Sequence, residues 1–100
     1  MAPTQYRYQT PILYIKDGCP FCIEAMNWLD SHGVPTEVID VNKDHGALRR
    51  MISVSGQTRT PTLEIGEFVC ADFSIAELIE ELEQNPEAKR LLGLGDDEDT

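Results

Sequence analysis

Several residue types are scarce in this chain of 100 residues, and each shortage argues against a class of function. Only 8 residues are lysine or arginine, against 18 acidic ones, so the formal net charge is −10. Because binding of nucleic acid relies on basic side chains that neutralise phosphates, we expect no nucleic-acid partner. No apolar run has the length of a membrane span, and residues 1–7 lack the apolar stretch of a secretory signal. We therefore expect a cytoplasmic protein with no membrane association.

The size and composition of the chain fit one small domain. Hydrophobic residues make up 41% of the sequence, which is enough for a single modest core. We place this domain at residues 1–95. Residues 96–100 carry four acidic side chains in succession, Asp96 to Asp99, and are predicted to form a disordered acidic tail.

Cysteine is also scarce, with three residues in all. An odd, small number argues against a framework of structural disulfides, and in a reducing compartment two cysteines separated by two residues are catalytic or metal-binding. Cys19 and Cys22 have this spacing. Structural zinc is the alternative, but the other candidate ligands, His32, His45 and Cys70, include no second close pair. We therefore favour redox chemistry at Cys19 and Cys22 and predict no metal site.

The position of the cysteine pair supports this interpretation. A short apolar run at residues 12–15 predicts a buried strand, and a helix is predicted from residue 21 to residue 32. The pair therefore lies where the helix begins, with Pro20 suited to the first helical position. Unpaired N–H groups there favour a thiolate over a thiol. We expect Cys19 to be the acidic thiol, and Cys22, which faces the core, to keep a higher pKa.

The rest of the sequence predicts alternating strands and helices. A second strand is expected at residues 36–41, and a helix capped by Asp44 is expected to run to about residue 53, with its apolar face formed by Leu48, Met51 and Ile52. Residues 62–65 and 68–70 predict a hairpin, and a capping box at residues 74–77 starts another helix. A last short helix is predicted after Asn85, its expected cap. The order is β-α-β-α-β-β-α(-α), an α/β fold with a mixed sheet.

Residues 11–82 resemble the glutaredoxin family of the thioredoxin fold. Four features carry the resemblance: the Cys19-to-Cys22 motif after the first strand, Lys16 three positions before Cys19, the run Gly56 to Pro61, and the hairpin that leads into a helix at residues 72–74. The resemblance implies a four-stranded mixed sheet flanked by helices.

The same resemblance implies roles for particular residues. Cys19 would be the attacking thiolate and Cys22 the resolving thiol, and the two would close a Cys19–Cys22 disulfide. Pro61 would follow a cis peptide bond and lie against the cysteine pair, with the Thr60 backbone pairing with the substrate or with the cysteinyl part of glutathione. The remaining residues of the predicted substrate or glutathione surface are Lys16 and Gln57, which would hold a carboxylate, and Phe21, Asp72 and Ser74.

The chain departs from the family pattern before its third predicted helix. Glutaredoxins commonly have glycines there, which let glutathione approach the main chain, whereas residues 69–73 contain none. The Asp72 carboxylate would repel a ligand carboxylate at short range, although Ser74 and the helix N-terminus could still donate to it. The electron donor is therefore either glutathione or an enzyme of the thioredoxin-reductase type.

The function implied is that of a monomeric dithiol thiol–disulfide oxidoreductase that reduces protein disulfides or glutathione mixed disulfides. It would require no resident cofactor and would use glutathione as a co-substrate. The alternative is a glutaredoxin that carries a [2Fe–2S] cluster between two subunits through Cys19 and glutathione. Pro20 and the missing glycines weigh against it. Cys70, in a predicted strand, is expected to be a buried apolar residue and not a third redox thiol.

Overall fold

The computed structural model describes residues 10–94, which contain four strands and four helices. In chain order they are β1 (Ile12–Ile15), α1 (Pro20–Ser31), β2 (Glu37–Asp40), α2 (His45–Ser55), β3 (Thr62–Ile65), β4 (Phe68–Ala71), α3 (Ile75–Glu83) and α4 (Pro86–Leu91). The strands form one sheet in the order β2-β1-β3-β4. β1 runs parallel to β2, and β3 is antiparallel to both β1 and β4. The predicted α/β fold and element order are confirmed.

Local capping sets the ends of the helices. The Asp44 side chain accepts the N–H of Ala47 at the start of α2, and Gly56 ends that helix with a φ of 72°, in the left-handed region that glycine adopts without strain. The predicted capping box at α3 is present: Ser74 Oγ accepts the Glu77 N–H, and Glu77 Oε1 accepts the Ser74 N–H at 2.9 Å.

Three details of the predicted elements are wrong. β2 is shorter than residues 36–41, because the Asp40 carboxylate accepts the N–H of Asn42 and turns the chain. On α2 the buried positions are Ala47 and Met51, one turn apart, whereas Ile52 is 40% exposed. The Asn85 side chain does not cap α4; its amide donates to a main-chain carbonyl near the end of α3 at 2.7 Å.

Each face of the sheet packs against helices. On one face, Leu13 and Leu63 are fully buried against α1 and α3 in the larger apolar cluster. On the other face, Tyr14 packs with α2 through Ala47 and Met51. Burying one leucine contributes about 1.5–3 kcal/mol. This packing holds α1 and α3 against the sheet, and α1 starts a few residues beyond the end of β1.

The predicted boundary at residue 95 and the acidic tail lie outside the described residues. Among residues 10–94, no helix combines the length and the apolar character that a membrane crossing requires.

Candidate active site

The two cysteines lie at the N-terminus of α1, as predicted. A turn at Gly18, with a φ of 76°, leads from β1 to Cys19, which occupies the N-cap position with extended backbone angles. From there Cys19 Sγ accepts the main-chain N–H of Cys22 at 3.2 Å. The helix starts at Pro20, which confirms this proline at the first helical position, one residue before the predicted span of 21–32. The Cys19 sulfur therefore takes the place that a serine or aspartate oxygen occupies at an ordinary helix cap.

Thr60 brings the loop between α2 and β3 against the Cys19 sulfur. Its hydroxyl donates to Cys19 Sγ at 3.8 Å, and its carbonyl accepts the Cys19 S–H at 3.9 Å. The peptide bond between Thr60 and Pro61 is cis, which confirms that prediction. Pro61 is buried, and its carbonyl accepts the N–H of Asp72 at 2.8 Å.

The surroundings of the two thiols drive their pKa values apart. Burial alone would raise the pKa of Cys19, but the hydrogen bonds from Cys22, the Thr60 hydroxyl and the Phe21 amide outweigh it and lower this pKa. Cys22 is only 1% exposed. Its burial, and then its hydrogen bond to Cys19, raise its pKa. Both cysteines are free thiols, so the structure presents an acidic, partly exposed sulfur beside a protonated, buried one.

Lys16 stands at the rim of the site but contacts the protein itself. Its ammonium Nζ donates to the carbonyl of Thr58 at 2.9 Å, which ties the end of β1 to the loop that carries Thr60. An ammonium has three N–H donors. Binding of a ligand carboxylate by Lys16 therefore stays a prediction and is compatible with this contact.

The Gln57 side chain folds back into its own loop. Its Nε2 donates to Ser55 Oγ at 2.8 Å and to Thr62 Oγ1 at 3.1 Å, and its Oε1 accepts the N–H of Arg59 at 2.7 Å. The carboxamide thus braces the loop. Its predicted contact with glutathione would require these hydrogen bonds to break.

The remaining predicted residues lie on two sides of the site. Phe21 is 54% exposed beside the cysteines. Asp72 adopts a left-handed φ of 56°, rare for a residue with a side chain, and its carboxylate pairs with Arg59 at 3.1 Å. Ser74 is engaged with Glu77 in the capping box, so its N–H is not free to receive a ligand carboxylate.

Arg59 is the residue at this site that the sequence analysis missed. Its position next to Thr60 is the signal that could have identified it, because a side chain adjacent to a predicted substrate-pairing residue projects from the same loop. Its pairing with Asp72, 13 positions away along the chain, has no signal in the sequence.

A second polar cluster lies under α2. The Glu64 side chain, 8% exposed, accepts the Tyr14 hydroxyl at 2.7 Å and pairs with Arg50 at 2.5 Å. Burial would raise the pKa of Glu64, but the hydrogen bonds from Arg50 and Tyr14 lower it. Burial and the bond to Glu64 raise the pKa of Tyr14 to about 12.

The third cysteine is buried, as expected. Cys70 is 7% exposed, in the larger apolar cluster. Its burial, reinforced by the negative charges of Glu81 and Glu77, raises its pKa to about 12. At neutral pH it is a protonated, inert thiol.

Comparison with known proteins connects this geometry to a family. The family described as Glutaredoxin matches residues 12–69, more than half of the chain. A curated protein of Bacillus subtilis (strain 168) named N-acetyl-S-hydroxy-L-cysteine reductase is 36% identical over 56 residues, which are 55% of this chain. The chain spans 59% of the length of that relative.

Solved structures share the fold. The thioredoxin-like protein BC3987 is 31% identical, with a TM-score of 0.65 over 71% of this chain and 97% of that one. A glutaredoxin from Archaeoglobus fulgidus is 22% identical, with a TM-score of 0.64 over 76% and 89% of the two chains. A buckwheat glutaredoxin in complex with glutathione is 15% identical, with a TM-score of 0.63 over 92% and 84%. With its matching sequence region and its cysteine pair at the start of α1, the chain belongs to the glutaredoxin family.

Proposed function

We propose that this chain is a dithiol thiol–disulfide oxidoreductase in which Cys19 attacks and Cys22 resolves. The observation that carries this proposal is the asymmetry of the pair. Cys19 Sγ accepts the Cys22 N–H at 3.2 Å and has a lowered pKa, whereas Cys22, one helical turn away, is buried and has a raised pKa.

The reaction has two exchange steps. The Cys19 thiolate attacks one sulfur of a substrate disulfide, forms a mixed disulfide and releases the other sulfur as a thiolate. Cys22 then loses its proton and attacks Cys19 Sγ, which forms the Cys19–Cys22 disulfide and releases the second substrate thiol. Two electrons pass from the dithiol to the substrate, and an external donor of two thiols restores the enzyme.

The lowered pKa serves the first step, in which Cys19 attacks. It also serves regeneration, in which a donor thiol attacks the sulfur bonded to Cys19 and Cys19 leaves. An ordinary thiol with a pKa of about 8.5 is roughly 3% ionised at pH 7, so acidification increases the thiolate fraction, but nucleophilicity falls as the pKa falls. A more acidic Cys19 is also a better leaving group. Intermediates on Cys19 therefore turn over readily, as a catalyst of exchange requires.

The proposed substrates are protein disulfides, glutathione mixed disulfides and small oxidised thiols. The name of the Bacillus relative describes reduction of a cysteine derivative whose sulfur carries a hydroxyl group. The Cys19 thiolate can attack such a sulfur in the same way: the S–O bond breaks, one proton is taken up, water leaves and the same mixed disulfide forms. Glutathione or a reductase of the thioredoxin-reductase type would supply electrons to a cytoplasmic, monomeric enzyme.

Trapping of the mixed disulfide tests the assignment of the two thiols. We expect Cys22→Ser, mixed with glutathione disulfide, to accumulate one glutathione adduct on Cys19, detected by mass spectrometry of the tryptic peptides. Cys70→Ser is the matched control and should turn over as the unmodified protein does. A Cys19→Ser variant that retained full disulfide-reducing activity, or an adduct on Cys70, would contradict the proposal.

A paired assay identifies the electron donor. The oxidised protein is offered glutathione in one vessel and a thioredoxin reductase system in another, and its reduction is measured in each. Cluster binding stays a prediction without a supporting contact, and brown colour in anaerobically purified protein would favour it over the dithiol enzyme.

A further inference from the structure

Arg59, next to Thr60, has a main chain held by hydrogen bonds and a side chain that is mostly exposed. Its N–H donates to Gln57 Oε1 at 2.7 Å, and its carbonyl accepts the hydroxyl of Thr62 at 2.8 Å. The next residue, Thr60, contacts Cys19 Sγ. The Arg59 side chain is nevertheless 76% exposed. The guanidinium therefore projects from a held loop, one residue from the residue that contacts Cys19.

Asp72 holds this guanidinium weakly. One Arg59 nitrogen donates to Asp72 Oδ2 at 3.1 Å, and the Asp72 side chain is itself 48% exposed. An exposed ion pair of this kind contributes little to stability. A guanidinium has five N–H donors and can bind a carboxylate through two parallel hydrogen bonds, a stronger arrangement. Another carboxylate could therefore displace Asp72 at little cost.

Most of the other predicted donors around this rim are already in use. The Gln57 carboxamide braces its loop, the Asp72 N–H is bonded to Pro61, and the Ser74 N–H is bonded to Glu77. Lys16 retains donors, but its ammonium is tied to Thr58. Of these groups, Arg59 is the one whose present partner is easiest to replace.

We propose that Arg59 binds a carboxylate of the substrate and that Asp72 competes with it, so that this pair sets the charge preference of the site. The proposal rests on the proposed function and narrows its substrates to disulfides and sulfenic acids of small thiols that carry a carboxylate a few bonds from the sulfur. Arg59 and Asp72 are specificity-determining residues here, and the reacting atoms stay those of Cys19 and Cys22.

Three small disulfides with the same carbon spacing test the proposal: 3,3′-dithiodipropionate, which is anionic, bis(2-hydroxyethyl) disulfide, which is neutral, and cystamine, which is cationic. Reduced protein is mixed with each one, quenched with acid, and the Cys19–Cys22 disulfide is quantified by mass spectrometry, so no electron donor is needed. Arg59→Gln should lower the ratio of the anionic to the neutral rate by about five- to tenfold. Asp72→Asn should raise the same ratio by about two- to fivefold.

Matched variants at distant exposed positions control for total charge. Arg49→Gln on α2 removes the same positive charge, and Asp30→Asn removes the same negative charge in the last turn of α1, about 16 Å along the helix from Cys19. Both should leave the ratio unchanged. With cystamine in place of the anionic disulfide, Arg59→Gln should raise the ratio of the cationic to the neutral rate, and Asp72→Asn should lower it.

Different outcomes would overturn the proposed function and the role of Arg59. If the unmodified protein oxidises none of the three disulfides, the proposed function fails and this inference with it. If it oxidises them but Arg59→Gln shifts the ratio no more than Arg49→Gln does, Arg59 does not bind the carboxylate and the inference alone is overturned. The inference is also overturned if Asp72→Asn leaves the ratio unchanged, because Asp72 then does not compete for Arg59.

Discussion

Two polar clusters lie in the fold, one at the N-terminus of α1 and one under α2, and each lowers the pKa of an acidic group in a different way. In the first, hydrogen bonds from Cys22, the Thr60 hydroxyl and the Phe21 amide lower the pKa of Cys19, and its sulfur stays partly exposed. In the second, Glu64 is acidified by Arg50 and Tyr14, and its side chain is almost fully buried.

The difference shows what separates a reactive group from a structural one. Both acids have pKa values below their ordinary range, so the shift alone does not identify a site. Glu64 has its charge neutralised and its oxygens shielded, which stabilises the packing of α2 on the sheet. The Cys19 sulfur is partly exposed, so another sulfur can approach it. Variants in the two clusters should therefore affect different measurements.

The largest expected effect is on turnover. Cys19→Ser should reduce the rate of disulfide reduction at least about a thousandfold, because the attacking sulfur is lost. Glu64→Gln, at the other cluster, should retain turnover within about twofold when assayed below its unfolding temperature. A similar loss in both variants would show that the two clusters are not functionally distinct.

A smaller effect compares Cys19 with the buried Cys70. The pKa of Cys70, about 12, is more than three pKa units above that of an ordinary thiol, while that of Cys19 is lowered. The ionised fraction of Cys19 then exceeds that of Cys70 at least about a thousandfold. The more acidic Cys19 thiolate is the weaker nucleophile by roughly twentyfold, so Cys19 should still react at least about fiftyfold faster than Cys70. Alkylation by iodoacetamide at pH 7, followed by peptide mass spectrometry, measures this ratio. Equal alkylation rates at Cys19 and Cys70 would contradict the predicted difference in their reactivity.

Stability should respond at the second cluster. Glu64→Gln removes the charged acceptor of Arg50 and weakens that of Tyr14, so it should lower the free energy of unfolding by about 1.5–3 kcal/mol, measured by urea denaturation. Glu37→Gln on β2 is the control, because Glu37 is exposed, and it should change stability by less than about 0.5 kcal/mol. An unchanged midpoint in Glu64→Gln would mean that the cluster does not stabilise the fold.

The smallest effect is the pH dependence of that stability. Because folding lowers the pKa of Glu64, its contribution is present above the unfolded pKa of about 4.3 and is lost as the pH falls through its lower folded pKa. The difference in unfolding free energy between the unmodified protein and Glu64→Gln should therefore shrink below about pH 4.3. A difference that stays constant from pH 6 to about pH 3 would contradict this.

Features set by neighbouring residues could be predicted from the sequence. The capping box of Ser74 and Glu77 spans four positions, and the cysteine pair is recognisable from its spacing and from the predicted strand before it. The prediction of a cis peptide bond before Pro61 depends on the family resemblance, because the neighbouring residues carry no local signal for it.

Features set by distant residues could not be predicted. Alternation along β3 suggests that Glu64 faces solvent, yet all four residues of that strand are buried, because α2 covers the face on which Glu64 lies. Its partner Tyr14 is 50 positions away. Gln57 is a different case: the family motif predicts that it binds a ligand, whereas its carboxamide is bonded to residues two and five positions away in its own loop, an arrangement that no sequence pattern indicates.

The most direct test of the account is a titration of the Cys19 thiol in the reduced protein. The ultraviolet absorbance of the thiolate is followed against pH, with Cys19→Ser subtracted as the reference. We predict a midpoint below about 8.5, and a higher midpoint in Thr60→Ala, which lacks the donating hydroxyl. A midpoint at or above about 8.5 would contradict the claim that the start of α1 and the Thr60 loop make this sulfur acidic.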